Sequence, residues 1–229
     1  ARIPEPPDAP AQPDASTPGD GGIRAHRNRQ PSPCAHAAPY AGGMSHALVV
    51  LDVQQSFRER PIWAKISNPD IVDDVSALVA RAREAGHPVF WVLHADPIGS
   101  GTVFDPASGH VRLLEGLAPT ADEPTIVKTS RNAFTTTNLG QQLTGAGVAD
   151  VTICGIQTEQ CCETTARVAA DLGYGVEFVT EATATFPITR PDTGAVLDVD
   201  AIIERTEFAL AGRFARIATI DDAFAEPHS

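Results

Sequence analysis

From Ala47 to the end of the chain, short apolar runs alternate with amphipathic stretches, and this alternation constrains the fold more than any other feature. "ALVVLDV" (47–53) is a continuous apolar and β-branched run that ends near an acid. "PDIVDDVSALVARAREAG" (69–86) places Ile71, Val75, Leu78, Val79 and Ala82 on one helical face. Pro69 suits its first turn and Gly86 its exit. "HPVFWVLH" (87–94) and "TIVKTS" (125–130) read as the second and third strands. "LGQQLTGAG" (139–147) reads as a short helix and "DVTICGI" (150–156) as the fourth strand. A helix follows over 158–172, then a strand over 175–182, a helix over 200–214 and a sixth strand over 215–220. Strands that are apolar throughout are buried on both faces, so the pattern predicts a parallel sheet covered by helices. The expected fold is α/β: a doubly wound, six-stranded parallel sheet with helices on both faces. Ligands in such folds sit outside the carboxyl ends of the strands, where the strand order reverses.

Composition narrows the class of function. The net charge of −12 makes nucleic acid and anionic membrane poor partners. No apolar run approaches the roughly 20 residues of a membrane helix. Four cysteines, two of them adjacent, do not make a disulfide framework, which points to a reducing, cytoplasmic setting. Residues 1–43 hold 9 of the 19 prolines and 5 of the 18 glycines, so they read as a disordered leader before one domain over 44–229. The stretch 95–124 lacks periodicity and is expected to be a long loop over the ligand edge.

Three reactive side chains fall at strand ends. Asp52 follows the first strand, Lys128 ends the third, and Cys161 opens the helix after the fourth. A helix N-terminus and a nearby ammonium both favour thiolate, the nucleophilic form. A carboxylate beside them can move protons to and from the reacting groups. Taken singly, each residue has a plainer reading: a capping acid, a solvated lysine, a packing cysteine.

Together the segments around them resemble the isochorismatase-like cysteine hydrolase superfamily. The resemblance covers about 47–220 and rests on "VVLDVQQSF", "IVKTSRNAF" and "ICGIQTEQCCETTARVAADLGYGVEFVTEA". It implies that Asp52 is the general acid/base, that Lys128 stabilises the thiolate, and that Cys161 is the nucleophile. Cys162 then packs under the helix, and Cys154 belongs to the core. The resemblance further implies a cis peptide at Ile156–Gln157, with the Gln157 and Cys161 N–H groups forming an oxyanion hole. It implies homodimers or homotetramers, a small-molecule amide or ureide substrate, and C–N hydrolysis through a thioester.

His94, Asp96 and His110 do not follow the ordered Asp-x-His pattern of the metal-binding branch, so no metal and no cofactor are expected. Arg131 stands three residues after Lys128, where many relatives have an arginine after two. Phe57, Trp63, His94 and Phe134 flank the strand ends as candidate pocket residues, and Gln54 is expected to orient Asp52 or its loop. Two alternatives remain: an isochorismatase-type vinyl ether hydrolase without a covalent step, and a non-catalytic or redox-sensing scaffold.

Overall fold

Strand β1, Ser45–Leu51, lies at the centre of the sheet, and its side chains divide between two cores. Leu48 and Val50 pack on one face, against helix α2 (Ile71–Glu84); Ala47, Val49 and Leu51 pack on the other. That period of two is what a strand covered by helices on both sides requires. The computed structural model describes residues 45–225. The leader expected over 1–43 lies outside the described residues.

The chain runs on through α1 (Gln55–Arg58), a 3₁₀ turn (Pro61–Lys65), α2, β2 (Val89–His94), a 3₁₀ turn (Pro106–Ser108) and β3 (Thr125–Lys128). Then come α3 (Leu139–Gly145), β4 (Val148–Ile156), a π-helical turn (Thr158–Cys162), α4 (Glu163–Asp171) and β5 (Gly175–Ala184). A hairpin of β6 (Ile188–Thr189) and β7 (Val196–Leu197), helix α5 (Val199–Leu210) and β8 (Arg216–Ala218) complete it. The 6-stranded sheet has the order β3-β2-β1-β4-β5-β8, and all its pairings are parallel. The chain winds outward from β1 in both directions, so the order reverses between β1 and β4. A crevice opens at the carboxyl ends of such a pair.

Helix α2 buries the five residues that the periodicity assigns to its inner face. On the opposite face Leu139 and Leu143 of α3, Ala166 and Ala169 of α4, and Leu210 of α5 form the second core. Fully burying a Leu or Ile contributes about 1.5–3 kcal/mol, so these two layers hold the sheet.

Five details depart from the sequence reading. The helix expected over 158–172 begins with a π-helical turn. The helix expected over 200–214 stops at Leu210, and the last strand is only Arg216–Ala218. The β6–β7 hairpin and the short α1 carry no periodic signal, because each is too brief to show one.

Candidate active site

Two close backbone approaches build the site. At the end of β1, Leu51 pairs with Gly155 of β4. A Cβ on Gly155 would lie 1.9 Å from the Leu51 carbonyl oxygen, and Gly155 has φ +123, so only glycine fits. The next residue, Asp52, takes a left-handed φ of 54, a conformation that Asp tolerates better than most residues. Its N–H donates to Val92 O at 2.8 Å. Gln54 clasps the end of β2: its Oε1 accepts from His94 N at 2.7 Å, and its Nε2 donates to His94 O at 3.0 Å. It thus holds the loop rather than the Asp52 carboxylate.

The three strand-end residues meet. Lys128, fully buried, places Nζ 2.8 Å from Asp52 Oδ2. The same ammonium donates to Cys161 Sγ at 3.3 Å and to Ser130 O at 3.2 Å. The contact with Asp52 is ionic rather than an aligned hydrogen bond, so neither carboxylate oxygen has a hydrogen-bond partner among the described residues. A buried carboxylate with spare acceptor capacity stands ready to take a proton.

The protonation of Cys161 differs from the expectation. Burial first, and the Asp52 carboxylate second, push its thiol up to about 12, and Lys128 opposes them by less. The reason is local neutrality: Asp52 offsets the charge of Lys128, so loss of water dominates. Cys161 therefore rests as a thiol. Cys162 is wholly buried in the apolar layer of α4, and Cys154 lies in the core behind β4; burial raises both thiols further.

Above Cys161 opens a cavity of about 380 Å³. Asp52 and Cys161 line it, and Phe57, His94, Gln157 and Arg131 contribute further walls. Phe57 packs edge-on to Phe104, with centroids 5.0 Å apart, and stacks on Phe186 at 6.0 Å. Burial and then Lys128 lower the His94 imidazole below its ordinary value, so it is neutral near pH 7. Its Nε2 is 3.4 Å from Asp96 Oδ1, and its buried Nδ1 has no partner among the described residues. The aperiodic loop contributes Thr102, Val103 and Phe104 to the wall. Asp105 folds this loop, accepting from the N–H groups of Gly99 at 2.8 Å and Ala107 at 2.9 Å. The peptide Ile156–Gln157 is cis.

Two expected pocket residues lie elsewhere. Trp63 packs behind the wall on Phe186, with centroids 6.2 Å apart, and Phe134 stacks on Tyr174 at 6.0 Å on the outer face. Neither lines the cavity, because each follows its own element away from the strand ends. Conversely Arg60, Phe104 and Gln160 line it without having been singled out. They lie in loops and a π turn, where no periodicity marks a facing direction. His110 sits 3.9 Å from Glu59, and among the described residues no three His, Cys, Asp or Glu side chains gather to hold a metal.

An isochorismatase domain family model matches residues 46–206. The chain belongs to the isochorismatase family of hydrolases. A streptothricin hydrolase of Streptomyces noursei is 31% identical over 85% of this chain and 74% of its own. Nicotinamidase 3 of Arabidopsis thaliana is 33% identical over 61% of this chain and 73% of its own. The crystal structure of an isochorismatase from Pseudomonas putida KT2440 superposes with a TM-score of 0.70 at 29% identity, covering 78% of this chain and 90% of that one. Among the described residues, no helix is long and apolar enough to cross a membrane.

Proposed function

We propose that this isochorismatase-family chain is a cysteine hydrolase that cleaves a small amide or ureide C–N bond through a thioester. One observation carries the reading: a single buried ammonium, Lys128, bridges the Asp52 carboxylate and the Cys161 sulfur at the base of a cavity. Similarity to a nicotinamidase and a streptothricin hydrolase supports the class of reaction.

The substrate carbonyl sits over Cys161. Because the resting sulfur is a thiol, Asp52 takes its proton as the sulfur attacks, and Lys128 offsets the negative charge that develops. The Gln157 and Cys161 N–H groups receive the oxyanion. Asp52 then gives the proton to the leaving nitrogen, the C–N bond breaks, and a thioester remains. Water attacks the thioester while Asp52 accepts its proton. The carboxylic product leaves, and the proton returns to sulfur. The chain supplies nucleophile, proton acceptor and cation, so this sequence of steps calls on no metal.

The test is ammonia release from a panel of small amides, ureides and carbamoyl compounds. Turnover that Cys161→Ala abolishes and Cys162→Ala retains supports the reading. Equal turnover in Cys161→Ala would remove the nucleophile from it.

A further inference from the structure

The walls of the cavity carry two guanidinium groups, Arg60 and Arg131, that the mechanism does not use. Arg83, Arg167, Arg190, Arg205 and Arg216 each face a carboxylate within ion-pair distance. Among the described residues, Arg60 and Arg131 face none. Arg58, Arg81, Arg112 and Arg213 face no carboxylate either, but they do not line the cavity.

Neither acid of the cavity lies within ion-pair distance of Arg60 or Arg131. Asp52 has Lys128 at 2.8 Å, and Asp96 accepts from Thr102 Oγ1 at 2.7 Å while lying 3.4 Å from His94. With His94 neutral, Asp52 and Asp96 offset two of the three cations Lys128, Arg60 and Arg131, which leaves one net positive charge at the cavity of a chain whose net charge is −12. An unbalanced guanidinium beside the thiol can take an anion from outside.

Arg60 is also held in place. Its Cζ lies 6.0 Å from the centroid of Phe57 and 5.9 Å from that of Phe186. Its backbone is tied at both ends: Arg60 N donates to Phe57 O at 3.1 Å, and Trp63 N donates to Arg60 O at 2.9 Å. Aromatic faces fix a guanidinium without neutralising it and leave its N–H edge open. That edge matches a carboxylate, which it can bind through two parallel hydrogen bonds.

We propose that Arg60 is the anion anchor of the site, and that the substrate is an amide or ureide carrying a carboxylate. Arg131, from the segment after β3, adds a second positive charge to the same cavity. The inference rests on the hydrolase reading for the word substrate, but the anchor is testable without turnover.

Iodoacetate and iodoacetamide both alkylate a thiolate: an S–C bond forms, and iodide leaves. They differ in the carboxylate. The ratio of their rates at Cys161, followed by peptide mapping at one pH, reads the anchor directly. The ratio is expected to exceed that of free N-acetylcysteine and to fall about tenfold in Arg60→Gln, the scale of one charge-assisted hydrogen bond in a half-open site. Arg60→Lys should keep most of the preference. Arg60→Met retains the packing of the stem on the rings and gives a second neutral variant should Arg60→Gln fold poorly. An unchanged ratio in the neutral variants overturns the anchor.

Turnover separates the two readings. Monoamides of short dicarboxylic acids are compared with their neutral methyl esters. If the acids are hydrolysed faster and Arg60→Gln erases the difference, both readings stand. Equal hydrolysis of both overturns the anchor alone. If neither is hydrolysed but the alkylation ratio falls as expected, the hydrolase reading loses its support and the anion site remains.

Discussion

Cys161 is surrounded by groups that set its protonation in opposite directions, and their balance makes a residue-scale prediction. The Asp52 carboxylate raises the thiol, and the Lys128 ammonium lowers it. Asp52→Asn should therefore speed iodoacetamide alkylation at mildly alkaline pH while abolishing turnover, because it frees the thiolate but removes the proton acceptor. Lys128→Ala should slow alkylation and move its pH profile upward. Slower alkylation in Asp52→Asn would contradict the local neutrality argument. That Asp52, Lys128 and Cys161 stand at strand ends on one edge was legible in the sequence, and the structure brings the three side chains together. The thiol's resting state was not. It depends on a distance of 2.8 Å between two residues 76 positions apart, which no spacing reveals. Arg60 was equally hidden, because a short irregular loop shows no facing direction.

At the scale of elements, the site depends on how tightly β1 and β4 approach. Gly155 carries that approach: a Cβ there would collide with the Leu51 backbone, 1.9 Å from its oxygen. Gly155→Ala should cost more than about 3 kcal/mol, since neither strand's backbone can yield and φ +123 is itself strained for alanine. Chemical denaturation measures this, and a loss under about 1 kcal/mol would contradict it. The sheet strands were legible as apolar runs, and α2 as a clean helical period. The π-helical turn that carries Cys161 was not, because one widened turn changes hydrogen bonding without changing composition. The β6–β7 hairpin was missed because two-residue strands leave no alternation to read.

Taken whole, the molecule buries His94 and half-buries His46 and His87, and this shapes its response to acid. Burial lowers His46, His87 and His94 below their ordinary value. Their folded values lie under their unfolded ones, so as pH falls through about 6.5 the unfolded chain binds more protons and gains stability. The melting temperature should accordingly fall between about pH 7.5 and 5.5, with the loss starting near the unfolded value. A flat or rising profile in that window would show that these rings accept protons freely in the fold. The Ala107 N–H holds Asp105 below its ordinary value, so its share is lost only at lower pH. The doubly wound sheet and the crevice beside β1 were legible from strand–helix alternation. The cavity's walls were not, because they come from the aperiodic loop that Asp105 ties down.

Acid-quenched mass analysis during turnover of the best amide in the panel reads the covalent step at Cys161 itself. A thioester intermediate predicts an added acyl mass on the peptide that carries Cys161, and neither that mass nor any turnover in Cys161→Ala. Sustained turnover with no acyl mass on Cys161, or turnover that survives Cys161→Ala, would contradict it.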